Sequence, residues 1–136
     1  MDTPDTSASA DSLDQTVPLL LVTDLARACD FYCRGLGFEL DRRWEPDGEL
    51  RWCWLRRNGA SLMLQQACQE DRPAAPRGNG VSLYFICQDA AAVYRDLSSR
   101  GIEATPPTVA FYGMNQVFVT DLDGYALCFE NPVDGN

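Results

Sequence analysis

The feature that most constrains this chain is an internal repeat. Val17-Pro-Leu-Leu-Leu-Val-Thr-Asp24 lines up with Ser82-Leu-Tyr-Phe-Ile-Cys-Gln-Asp89. Each segment begins as an apolar run of the kind that makes a buried strand. Each ends at an Asp able to cap a helix. The helices that follow span Leu25–Leu36 and Asp89–Arg100, and glycines at 35, 37 and 101 stop them. Phe38–Trp44 then reads as a strand, and Glu45-Pro46-Asp47-Gly48 as a turn. Leu50–Arg56 and Ala60–Gln66 flank Asn58-Gly59, a strong hairpin signal. In the second copy, Ile102–Ala104 begins a short strand that Pro106-Pro107 cuts off. Gln116–Thr120 and Tyr125–Glu130 flank a turn containing Asp123-Gly124. The order is strand-helix-strand-strand-strand, twice. Two copies at this period make no solenoid. They predict an α+β fold of two βαβββ modules pressed together.

The predicted organisation is a flexible acidic leader over 1–15, a first module over 16–68, a linker over 69–79, a second module over 80–132 and a tail over 133–136. The leader sets Asp2, Asp5, Asp11 and Asp14 among Ser, Thr, Ala and Pro, with little to bury. At 136 residues the chain suits one domain, or two small halves sharing a core.

Eleven basic against twenty acidic residues give a net charge of −9. Phosphate neutralisation supplies most nucleic-acid affinity, so nucleic acid is an unsuitable partner. An anionic membrane surface repels such a chain, whereas a cationic small molecule is attracted by its field. Simple solubility also accounts for the acidity. The longest apolar run, Leu19–Val22, is far short of a bilayer span. No signal peptide opens the chain, so a soluble cytoplasmic protein is expected.

There is no histidine. That removes the usual neutral-pH base, the histidine-dependent nucleophilic arrangements and the commonest zinc or iron ligand. The six cysteines, at 29, 33, 53, 68, 87 and 128, form no C-x-x-C pair and are expected to be reduced thiols. Cys29 and Cys33 face the same way on the first helix.

Leu21-Val22-Thr23-Asp24-Leu25, Asp30-Phe31-Tyr32 and Leu36-Gly37-Phe38 form one motif set. Asp121-Leu122-Asp123-Gly124-Tyr125 and Asn131-Pro132 form another. Together they resemble the vicinal oxygen chelate superfamily of glyoxalase I, bleomycin-resistance proteins and extradiol dioxygenases. The likeness runs from Thr16 to Pro132. It implies mixed sheets that curl around a concave cavity, the glyoxalase/bleomycin-resistance fold, usually in a homodimer. It constrains activity far less, because the fold hosts many chemistries.

Metal-dependent members place one His, Glu or Gln on each of four strands. The positions that match are Val17, Met63, Ser82 and Cys128. Hard cations need oxygen ligands and zinc needs thiolate, imidazole or carboxylate, so no metal and no cofactor is expected.

Hairpin geometry predicts the rest of the cavity face. A two-residue loop pairs Arg57 with Ala60, Trp54 with Met63 and Trp52 with Gln65. A three-residue loop with Gly124 at positive φ pairs Asp121 with Tyr125, Phe118 with Cys128 and Gln116 with Glu130. The candidate ligand-binding residues are Trp52, Trp54, Gln65, Tyr84, Tyr112, Gln116, Phe118 and Glu130. Apolar aromatic walls with a few polar groups typify small-molecule sites. For Trp54 and Phe118, pocket wall and core filler both fit. Glu130 is either a partner for a ligand amine, a proton acceptor, or a rim residue paired with an arginine. Cys128 has no His or Lys beside it to activate it, since the chain contains neither, and is read as structural.

The expected function is binding of a cationic or aromatic small molecule in a metal-free pocket, of the drug-sequestration type, rather than catalysis. The alternatives are a lyase, isomerase or dioxygenase of the same superfamily, or a ligand-free dimerisation module.

Overall fold

A computed structural model describes residues 10–68 and 77–134. Strand β1 (Leu19–Val22) leads into α1 (Leu25–Asp30), which continues as a π-helical turn over Phe31–Gly35. Strands β2 (Glu39–Trp44), β3 (Trp52–Arg57) and β4 (Ala60–Gln66) follow. The second half contains β5 (Ser82–Ile86), α2 (Ala90–Ser99), β6 (Thr108–Val109), β7 (Met114–Thr120) and β8 (Ala126–Pro132). Each half builds one four-stranded sheet, ordered β1-β4-β3-β2 and β5-β8-β7-β6. In each, the first and last strands run parallel and the last two form an antiparallel hairpin. This is the expected α+β arrangement of mixed sheets, and neither sheet closes into a barrel.

The repeat extends to the helix starts. The Asp24 carboxylate accepts from Arg27 N at 3.2 Å, and the Asp89 carboxylate from Ala91 N and Ala92 N at 3.0 and 3.3 Å. A second acceptor reaches each start from the end of the parallel strand. Gln66 Oε1 accepts from Leu25 N at 2.9 Å, and Asn131 Oδ1 from Ala90 N at 2.7 Å. Orphan donors of the first helical turn are thereby satisfied.

One expected strand is absent. Ile102–Ala104 is irregular, and the fourth strand of the second sheet is Thr108–Val109, beyond the proline pair. Thr105 N donates to Phe118 O at 3.0 Å, but neither proline can donate to a ladder, so regular pairing begins only where Thr108 meets Gln116. Ile102 packs on the core instead. A Cβ added at Gly35 would lie 2.7 Å from Ile102 Cδ1, so the two halves approach closely here and a larger residue would make the Ile102 side chain shift. Of the expected leader and linker, 1–9 and 69–76 lie outside the described residues, and 77–80 form turns.

Alternation along the strands sends one face of each sheet into a shared core. Leu20, Val22, Cys53, Leu55, Leu62 and Leu64 from the first sheet meet Val119, Leu127 and Phe129 from the second, with Tyr32, Leu36 and Leu97 from the helical segments. Polar bonds clasp the halves at one edge of this core. Tyr32 Oη donates to Asp121 Oδ2 at 2.6 Å, Thr23 N to Asp123 Oδ1 at 2.8 Å, and Tyr125 Oη to Leu21 O at 2.8 Å. Asp121 also accepts from Asp123 N and Tyr125 N at 2.9 and 2.8 Å. The aspartates and Tyr125 of the second-half motif are therefore the clasp between the halves. Burial pushes the Asp121 carboxyl above its usual range, although its three donors pull the other way.

Candidate functional site

The faces turned away from the core carry the candidate residues. The hairpin registers are those predicted. Trp52 pairs with Gln65 and Trp54 with Met63 in the first sheet. Gln116 pairs with Glu130 and Phe118 with Cys128 in the second.

On the first sheet, two rows cross the open face. One holds Trp44, Trp52, Gln65 and Leu21, the other Arg42, Trp54, Met63 and Leu19. Trp52 and Trp54 are half-buried and Gln65 is exposed. The Arg42 guanidinium carbon lies 5.0 Å from the Trp54 ring centroid, within cation–π range. Trp54 Nε1 is buried and has no hydrogen-bond partner. Arg42 and Trp44 were not among the sequence candidates. A break in register between Leu40 and Arg42 places them on this face.

On the second sheet, Tyr84, Cys128 and Phe118 form one row, and Ile86, Glu130, Gln116 and Thr108 the next. Tyr84 is 49% and Phe118 37% exposed, so the aromatics stand open, whereas Glu130 is only 8% exposed. Gln116 Nε2 donates to Glu130 Oε1 at 2.9 Å and to Tyr112 Oη at 2.7 Å. Tyr112 Oη in turn lies 3.5 Å from Glu130 Oε1. Tyr112, Gln116 and Glu130 thus form one connected polar group, with Tyr112 delivered by the loop before β7. No arginine pairs with Glu130 among the described residues.

The structure brings the second-sheet candidates together and keeps Trp52, Trp54 and Gln65 on the other sheet. No hydrogen bond or ring contact joins the two groups among the described residues. They lie on two separate sheets of one chain.

The family's metal positions provide a test of donor chemistry. Met63 and Cys128 lie on the open faces, with Leu19 and Tyr84 as their parallel-strand neighbours. Val17 precedes β1, and Ser82 opens β5 beside Ala126. Burial, reinforced by the Glu130 charge, pushes the Cys128 thiol up to about 11, so it stays protonated at neutral pH. A thioether, a hydroxyl, a protonated thiol and a valine do not fit a divalent ion. Among the described residues no group of three or more His, Cys, Asp or Glu side chains is placed to hold a metal.

The sequence profile of the Glyoxalase/Bleomycin resistance protein/Dioxygenase superfamily matches residues 12–129. The chain belongs to this superfamily. Among solved structures, a glyoxalase/bleomycin resistance protein/dioxygenase from Nocardioides is 18% identical with a TM-score of 0.71, covering 98% of this chain and 91% of that one. A bleomycin-binding protein complexed with bleomycin is 25% identical with a TM-score of 0.70, covering 88% and 98%. An antibiotic-binding protein from Streptomyces sp. CB03234 is 24% identical with a TM-score of 0.66, covering 89% and 98%. A search of curated proteins found no match. No helix among the described residues is long and apolar enough to cross a membrane.

Proposed function

We propose that the chain sequesters a cationic, aromatic small molecule in a metal-free pocket and works as a cytoplasmic homodimer. The observation that carries this reading is Glu130. Its carboxylate is buried, held by Gln116, and without a cationic partner among the described residues. A buried charge is costly unless paired. A ligand ammonium or guanidinium would pair it, and the open rings of Tyr84 and Phe118 would take the ligand's planar part. The similarity to a bleomycin-binding protein and to an antibiotic-binding protein supports a small-molecule ligand of the antibiotic kind.

The exposed apolar faces support a dimer. Trp44, Leu19, Tyr84, Ile86 and Phe111 are exposed on one chain, with Phe111 fully so. Apolar patches of this kind on a soluble protein mark interaction surfaces. A second copy would set the tryptophan face of one subunit against the Glu130 face of the other, with the ligand between them. A ligand acceptor reaching Trp54 Nε1 would satisfy that orphaned donor.

A thermal-shift screen of cationic planar compounds and glycopeptides tests the reading. The expected result is stabilisation by cationic aromatics, weakened at least tenfold in apparent affinity by Glu130→Gln. Equal binding of neutral and cationic analogues, or no binding by any compound, contradicts it.

A further inference from the structure

The open face of the first sheet holds a cation beside a buried, unpartnered donor. Arg42 sits opposite Trp54 in the β2–β3 ladder, with its guanidinium carbon 5.0 Å from the indole centroid. The register break before Arg42 aims it there. Among the described residues one carboxylate lies within ion-pair range of Arg42, Asp41 Oδ2 at 4.0 Å. That oxygen is already held by Arg56 at 3.0 Å. The Arg42 charge is therefore weakly compensated, and its side chain is 64% exposed. Next to it, Trp54 Nε1 is buried and has no acceptor. Buried donors left unpaired are rare in native folds and point to a missing partner.

The distribution of charge singles out the same region. Residues 16–68 carry seven of the eleven arginines against seven acidic residues, whereas 80–132 carry two against six. An anion meets less repulsion at the first sheet than at the second. The face also offers flat aromatic area. Exposed Trp44 pairs with half-buried Trp52 in the same ladder that pairs Arg42 with Trp54.

We propose that this face is a binding subsite for a planar aromatic anion, a carboxylate or sulfonate, with Arg42 holding the anionic head and Trp54 Nε1 donating to one of its oxygens. A guanidinium presents its N–H groups in a plane that matches two oxygens of such a head at once. The long, exposed Arg42 side chain turns off the ring to meet the anion and opens a path to the indole N–H. The rings of Trp44 and Trp52 stack on the aromatic part of the ligand. A guanidinium and an indole N–H are donors only, so the pair favours an acceptor-rich group and rejects an ammonium. The subsite is opposite in sign to Glu130. It goes beyond the Glu130 reading and does not rest on it, since all its residues lie on one sheet of one chain. A compound that satisfies both faces carries an acid and a base on one aromatic frame.

All three tryptophans of the chain stand on this face, so their indole N–H signals in a proton–nitrogen correlation spectrum report on it directly. The probe is 2-naphthoate, titrated into the full chain, with neutral 2-naphthamide as its control. The expected result is a saturable shift of the Trp54 N–H signal by 2-naphthoate. The amide should bind about tenfold more weakly, the loss that follows when one charge-assisted contact is removed. Arg42→Gln, at an exposed position, should weaken 2-naphthoate by about the same factor. Trp54→Phe keeps a ring and deletes the donor, and should also weaken 2-naphthoate, read from the Trp44 and Trp52 signals. Equal binding of acid and amide, or 2-naphthoate binding untouched by Arg42→Gln, overturns the proposal. So do indole signals that move with protein concentration and not with 2-naphthoate, which would make a second copy the occupant of this face. A cationic screen that finds no ligand leaves this result standing, because the probe is an anion.

Discussion

Tyr32→Phe is the most informative single perturbation of the fold, because it deletes one oxygen from the clasp and nothing from the core. Tyr32 is fully buried, and its ring packs edge-on against Phe31 and Phe38 at centroid distances of 5.5 and 6.0 Å. Phenylalanine keeps those contacts. What is lost is the 2.6 Å bond to Asp121, which joins residues 89 positions apart. A hydrogen bond to a charged group contributes about 1.5–3 kcal/mol. An unfolding entropy near 2.1 cal/mol/K per residue gives about 0.29 kcal/mol/K for a chain of 136 residues. The expected fall in Tm at pH 7 is therefore roughly 5–10 °C.

The same substitution carries a pH signature. Burial raises the Asp121 carboxyl above 3.8 in the folded protein. Between 3.8 and the raised value, the folded chain holds a proton that the unfolded chain has lost. The stabilising contribution of this group is thus present at low pH and falls as pH rises through that window. Once Asp121 is protonated, its bond from Tyr32 is no longer charge-assisted. The gap between native and Tyr32→Phe melting curves should narrow from pH 7 to about pH 4. Calorimetric scans across that range are the assay. A fall under 2 °C, or a gap that does not change with pH, would refute the assignment of Asp121 as a buried charge held by Tyr32.

Asp89→Ala removes an acceptor for two helix N–H groups and should cost about 1 kcal/mol by urea denaturation. Gly78→Ala should cost about 2 kcal/mol or more, since φ is +81° and the new Cβ would lie 2.8 Å from Tyr125 Cα. Circular-dichroism melting checks it. Cys128 should resist iodoacetamide below pH 9 while Cys68 reacts, because its thiol is pushed up to about 11. The folded chain keeps that proton between 9.0 and about 11 where the unfolded chain loses it. The contribution of Cys128 to stability is therefore lost as pH rises through that interval.

The hairpins were legible in the sequence because their turns set the register. Asn58-Gly59 and Leu122-Asp123-Gly124 dictate every cross-strand pair that brings Trp54 beside Met63 and Gln116 beside Glu130. Asn58 and Gly124 both adopt the positive φ that such turns need, at 52° and 93°. The helix starts at Asp24 and Asp89 were equally legible, since capping is a local matter. Long-range features were not. Nothing near Tyr32 in the chain points to Asp121, and the clasp exists only once the halves pack. The register break before Arg42 has no glycine or proline to announce it, so Arg42 and Trp44 escaped the site prediction. From sequence the proline pair marks the end of a strand, whereas in the fold it stands before one, because Thr108 finds its partner only in the folded sheet. The sequence placed Cys29 and Cys33 on one helical face, but Cys53 joins them through strand β3.

Calorimetric titration of bleomycin, then of smaller cationic aromatics, into chelator-dialysed protein tests metal-free binding most directly. Saturable binding of at least one such compound is expected, with the same affinity after divalent metal is added back. Binding that appears only when metal is restored would contradict it.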